Sequence, residues 1–274
     1  MQARRLIALA LGTLAILTTK AQDLIVPAGQ SVGVAGIVAL SATDDMRSVN
    51  PSLMSDVERL AVAVSYLRPF GFNELSQKSL KAVAATPFAN AMIAVAKSGS
   101  DDSYFTEIGG GLARKWGKWG MGLEYYAVIH SLWNNERYAS SFSRVGVHFR
   151  PSKKWLLSLA IHSIEQREIV YETTEAKIEA KAWLGLKWMA NNTFAILLET
   201  EKPWEGDAEG KMAVAIYPAD KIDLSVGFSS IGQSLSAGVG YKWQGADIHV
   251  GIMHHERLGV SLGATVGYTL GRKQ

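Results

Sequence analysis

Two histidine–serine pairs, His130-Ser131 and His162-Ser163, come closest in this chain to a nucleophile beside its base. Hydrolysis through such a pair needs the two side chains within hydrogen-bond reach and a third group to orient the base. Both pairs lie in stretches with a two-residue alternation, where adjacent side chains point to opposite faces, so neither is a dyad by itself. A cross-strand partner is the one arrangement left open. His254-His255 falls on opposite faces in the same way, and two histidines alone make a poor metal site. Gly109-Gly110-Gly111 is not followed by Lys-Ser/Thr at the spacing of a phosphate loop. The chain has no cysteine, which removes disulfide frameworks and thiolate metal sites. These residues predict a protein that is not an enzyme and holds no cofactor or metal.

Binding is the other chemistry on offer. Asp44, Asp45, Asn50 and Pro51 form a short polar motif. Asp side chains accept backbone N–H bonds in turns, and Pro51 disfavours helix at Asn50. The motif therefore suits a structural turn or a contact with a ligand or partner. Glu124, Arg144, His148 and Arg150 share the polar parity of their strands, as do Lys154, Lys177, Glu179, Lys181, Lys187, Glu199, Lys211, Asp223, Lys242, Asp247 and His249. Such a face reads as a mutually neutralising wet interior, or as a solute pathway with Glu124, Arg144, His148 and Arg150 as binding candidates.

The elements that must carry these residues are strands. In the last one, Leu258, Val260, Leu262, Ala264, Val266, Tyr268 and Leu270 fall on one face, and Gly259, Ser261, Gly263, Thr265, Gly267 and Thr269 on the other. The same pattern predicts fourteen strands, near 59–68, 79–87, 89–97, 104–116, 118–130, 141–150, 153–164, 176–189, 192–201, 210–217, 220–229, 234–243, 246–254 and 257–270. Lys81–Ala96 also suits a helix on propensity, although Pro87 argues against one continuous helix. Short Lys-rich connections, such as 115–118 and 151–153, mostly alternate with longer ones at 98–103, 131–140, 165–175 and 202–209. That alternation belongs to outer-membrane barrels, with short periplasmic turns and longer outer loops. Trp116, Trp119, Phe149, Trp155, Trp188, Tyr217, Trp243 and Tyr268 sit beside the short turns or the C-terminus, all but Tyr217 on the apolar parity. They form an aromatic girdle at one interface. Tyr217 shares parity with Lys211, so its strand carries a bulge or is misread.

Residues 1–21 read as an export signal: basic Arg4 and Arg5, an apolar run from Leu6 to Leu17, and small Thr19 and Ala21. Removing them takes away Arg4, Arg5 and Lys20, leaving 25 Lys+Arg against 25 Asp+Glu, which excludes a nucleic-acid footprint. A neutral chain that is 48 % apolar without a second long hydrophobic run fits a membrane barrel. Residues 22–58 then form an N-terminal segment, strand-like at Val32–Leu40 and turn-rich to Arg59, and residues 59–274 the barrel. Inward glycines leave room against the wall, and the N-terminal segment is the natural filler, with Asp44, Asp45 and Asn50 meeting lumen Lys and Arg.

Val32-Gly33-Val34-Ala35-Gly36-Ile37-Val38-Ala39-Leu40, then Thr43-Asp44-Asp45, then Asn50-Pro51-Ser52-Leu53-Met54 resembles the start of the PorV/PorQ family. These are outer-membrane barrels of the type IX secretion system, related in fold to FadL-type transporters. Asp45, Asn50, Pro51 and Leu53 carry the match, while Val34-Ala35-Gly36 stands where Gly-Gly is common. The resemblance covers about 25 residues and implies a scaffold or shuttle for exported proteins, or alternatively a FadL-like passive transporter of small hydrophobic solutes. The expected fold is an all-β transmembrane antiparallel barrel of 12–14 strands with its lumen partly plugged. Its expected surroundings are outer-membrane lipid, with secretion-system proteins, exported proteins or hydrophobic small molecules as partners.

Overall fold

The computed structural model describes residues 28–40, 49–172, 175–230 and 233–270. The proposed export signal and the Asp44-Asp45 pair lie outside these residues.

Fourteen antiparallel strands close into a barrel. In chain order they are β1 (Leu60–Arg68), β2 (Gln77–Ala84), β3 (Asn90–Gly99), β4 (Ser103–Trp116), β5 (Trp119–Leu132), β6 (Arg137–Ser152), β7 (Trp155–His162), β10 (Lys181–Asn191), β11 (Phe194–Pro203), β12 (Glu209–Ala219), β13 (Ile222–Ser229), β14 (Ser234–Trp243), β15 (Ala246–His255) and β16 (Gly259–Leu270). A separate hairpin, β8 (Glu168–Val170) with β9 (Glu175–Lys177), rises from the β7–β10 connection. Every strand pairs with its chain neighbour in the wall, and β1 meets β16 in register from Leu60↔Leu270 to Arg68↔Leu262, so no edge is left open.

Alternation decides which way each side chain faces. On β16, Leu262 is 43 % exposed and Thr265 only 1 %. The whole outer surface follows this rule, with Val64, Ile93, Leu123, Leu184, Val226 and Val250 exposed while Glu124, Arg144 and Asp247 are buried. Greasy outside and charged inside is costly in water and suited to a bilayer. No helix among the described residues is long and apolar enough to cross a membrane, and a barrel needs none. The molecule is an outer-membrane β-barrel.

Local chemistry fixes the ends of the strands. Trp243 and Ala246 pair across a two-residue turn in which Gln244 and Gly245 both have positive φ, 46° and 87°. That is the hairpin geometry matching strand twist, and glycine takes its second position without strain. Trp116, Trp119, Trp155, Trp243 and Tyr268 are exposed at this short-turn end, and the Trp119 and Phe149 rings stack at 4.3 Å. The register of β12 shifts between Ile216 and Ala219, a bulge that turns Tyr217 inward against a buried apolar cluster.

Four readings of the sequence are corrected. Val32–Leu40 is not a strand: it continues from a short helix, α1 (Ala28–Gly33), into turns. A closed ladder offers it no edge to join. The strand expected at 176–189 joins the wall only from Lys181, because residues 176–177 belong to the hairpin; Lys177 is therefore not a lumen residue of the wall. Lys154 lies in the exposed turn between β6 and β7. The helical alternative for Lys81–Ala96 gives way to β2 and β3.

Candidate functional site

The described residues of the N-terminal segment, 28–40 and 49–58, pack against the lumen wall, whose two sides are built differently. On the side of β10–β15 many inward side chains are small or hydrogen-bonding, with Trp183 and Leu197 the bulky exceptions, so a chain without regular structure can be held there. Glu199 on β11 accepts the Val38 N–H at 3.1 Å and the Ala39 N–H at 2.7 Å. Ser236 accepts the Ala35 N–H at 2.8 Å, and Ser225 donates to Gly33 O at 2.9 Å. Lys211 donates to Gly36 O at 3.1 Å while paired with Glu201 at 2.6 Å. Backbone groups without a ladder are thus met by wall side chains, as burial requires. Glycines let the backbones approach: a Cβ at Gly238 would meet Gly33, and one at Gly185 would meet Leu40. Val34, Ile37, Leu40 and Leu53 pack on Leu156, Leu197, Ala213 and Ala215.

A second anchor follows. Asn50 is fully buried and caps the 3₁₀ turn Pro51–Asp56, its Oδ1 accepting the Ser52 N–H at 2.9 Å, with Pro51 at the first turn position. Its Nδ2 donates to Ser158 Oγ at 2.7 Å. Gly122 and Gly146 lie under this turn, where any Cβ would collide with Pro51 or Asn50. Asn90 donates to Met54 O and Val57 O, both at 2.7 Å. Asp56 ends the turn beside Lys115, with Arg150 Nη2 at 2.9 Å and His148 Nε2 at 3.7 Å. Burial would raise the Asp56 pKa, but Arg150, Lys115 and His148 outweigh it and hold the carboxyl below its ordinary 3.8.

The side of β1–β6 differs. Ala61, Ala63, Val83, Met92, Ala94, Ala96 and Ala113 make an apolar wall, closed below by Met54 and Val57 and above by Ile169 and Ile178 of the hairpin region. Rings continue it toward β10. Phe105 stacks on His130 at 4.0 Å, Tyr138 meets Tyr171 at 4.7 Å, Tyr126 stacks on Phe142 at 4.9 Å, Phe142 meets His162 at 4.4 Å, and His162 meets Trp183 at 6.3 Å. One charged knot interrupts this surface: Glu124 pairs with Lys81 at 2.8 Å, lies 3.8 Å from Arg144, and accepts from Tyr126 OH at 3.0 Å.

The sequence candidates therefore divide. Asn50, Pro51, His148 and Arg150 meet at the turn anchor, whereas Glu124 and Arg144 belong to the charged knot. Asp56 and Glu199, the acids that hold the segment, were not among the candidates; only the inward parity of Glu199 pointed to it. Ser131 and Ser163 are not partners of the adjacent histidines. Instead Ser103 Oγ lies 3.0 Å from His130 Nε2, and Tyr171 OH 2.7 Å from Nδ1. A neutral phenol cannot stabilise an imidazolium as a carboxylate does, so this cross-strand pair lacks the third member of a triad. Asp223, Asp247 and His249 bring potential ligand atoms within 4.8 Å of one another. Their carboxylates face different ring nitrogens, Asp223 at Nδ1 (3.4 Å) and Asp247 at Nε2 (2.7 Å), so the ring is divided between two acids rather than turned with them to one shared point.

No protein-family model and no curated protein sequence matches the chain. Solved structures do. The toluene transporter TodX of P. putida superposes with a TM-score of 0.61 at 12% identity, over 90% of this chain and 98% of that one. A TodX variant described as a monoaromatic hydrocarbon channel gives 0.63 at 11% identity over 90% and 99%. A Pseudomonas aeruginosa FadL homologue gives 0.60 at 11% identity over 90% and 100%. The fold is that of FadL-type outer-membrane channels.

Proposed function

We propose that this protein is a passive channel for small hydrophobic or amphipathic solutes, closed at rest by its N-terminal segment. The observation that carries the reading is the apolar and aromatic cluster inside β1–β6, in which Met54 and Val57 of the segment are buried together with Ile169 and Ile178 of the hairpin region. A protein that needed only a rigid wall has no use for a lumen surface of alanines and stacked rings beside a charged knot. Apolar solute gains by leaving water for such a surface. The likeness in fold to TodX and a FadL homologue supports the same direction. The test is uptake of radiolabelled toluene by cells that lack their own hydrophobic channels and express this protein. Uptake above vector control should fall several-fold in Phe142→Asp, which places a charge between Tyr126 and His162. Equal uptake by cells with and without the protein contradicts the reading.

The scaffold implied by the PorV/PorQ resemblance draws on a different observation: the segment is seated on wall groups throughout its described length, and the strand ladder has no gap. A filled, gapless barrel suits a carrier that uses its outer loops. Exported proteins retained with it in mild detergent, together with vector-level toluene uptake, would favour that role.

A further inference from the structure

Two lysines sit side by side on the lipid-facing parity near the long-loop end. Lys78 on β2 and Lys97 on β3 are direct cross-strand partners, and both are exposed. Like charges directly opposed destabilise a sheet. Among the described residues neither ammonium has a carboxylate partner; Lys97 instead lies 3.9 Å from the centre of the Tyr104 ring. Lys78 and Lys97 line a cavity of about 300 Å³ with Asn73, Ser76, Gly99 and Ser100, and Glu74 and Asp101 complete its wall.

Leu80, Ile93 and Val95 are exposed on the same faces of the same two strands, further toward the bilayer centre. An occupant of the cavity can thus have an anionic head between the lysines and apolar chains along β2 and β3. The geometry points to a binding site for a phosphate-bearing lipid headgroup, taken from the leaflet at the long-loop end. A phosphate carries the charge that two adjacent lysines need, and Asn73, Ser76 and Ser100 supply neutral donors. Glu74 and Asp101 leave the head no room for further negative charge unless a divalent cation shares it. The site is independent of the lumen and of any transport through it.

Native mass spectrometry of the full chain, released from micelles containing bisphosphorylated lipid A, tests this. The native protein should retain lipid A at least tenfold better than lipid A stripped of both phosphates. Lys78→Gln with Lys97→Gln should weaken retention by about fivefold per lysine removed, while Lys118→Gln with Lys153→Gln, at short turns, should not. Lys78→Arg with Lys97→Arg should retain it. Heat-modifiable migration reports whether each variant is folded. Equal retention of phosphorylated and stripped lipid by the native protein overturns the proposal, whatever the variants do. Inorganic phosphate that displaces lipid A at equal phosphate concentration overturns the lipid source and leaves a simple anion site.

Discussion

The two sides of the lumen do opposite things with similar strands. Along β10–β15 glycines, serines and paired charges stand beside apolar Leu197, Ala213 and Ala215, and together they grip a chain that has no ladder of its own. Along β1–β6 alanines and aromatic rings meet one another around the Lys81–Glu124–Arg144 knot, and Gly122, Gly146, His148 and Arg150 at the far end seat the turn of residues 51–56. Glu199 and Ser236 exist to satisfy Val38, Ala39 and Ala35 N–H groups. Ala63, Ala94 and Ala96 hold no polar group at all. The contrast shows how a barrel wall of constant outer chemistry can offer mainly hydrogen-bonding groups on one side and a mainly apolar surface on the other.

Removing the room beneath the turn should disturb the seat most. Gly146→Leu forces the Asn50 cap off the wall, since even a Cβ there collides with it. Planar-bilayer recording should show a conducting barrel, whereas Gly110→Leu, on the lipid-facing parity, should leave conductance unchanged. If both behave alike, the glycines do not matter for seating.

Glu199→Ala comes next. It leaves the buried Val38 and Ala39 N–H groups without their acceptor, costing the seat about 3 kcal/mol, while Lys211 keeps Gly36 O and Glu201. Cysteine placed at Gly36 should then react with a thiol reagent much faster than in the otherwise native chain. Phe142→Leu, on the apolar side, should not change that rate; if it does, the two sides are not separate.

The smallest effect is acid loosening of the turn anchor. Asp56 has a depressed pKa, so its contribution is complete above the ordinary carboxylate value and is lost as pH falls below about 4. Channel openings should become more frequent over that range and less so in Asp56→Asn, which has already lost the charge.

Most of this architecture was legible in the residues. Alternation placed each wall strand to within a few positions, and parity put Leu262 outside and Thr265 inside. What escaped has physical causes. The β8–β9 hairpin has three residues on each side, too few for a period to show. Val32–Leu40 has the composition of a strand, but closure of β1 on β16 removes the edge it would need. The ring contacts run across strands, as from Phe142 to His162 and on to Trp183, and depend on a register that composition does not encode. Asp56 gave no periodic signal because it sits in a turn whose partners, Lys115 and Arg150, come from two separate strands.

The central claim is that the N-terminal segment, whose described residues 30–40 and 49–57 lie against the lumen wall, keeps the proposed channel shut. Its most direct test is single-channel conductance of the barrel lacking residues 30–57 beside that of the intact protein, each confirmed folded by heat-modifiable migration. The account predicts large, steady conductance for the deletion and near silence for the intact chain. Equal conductance of the two would contradict it.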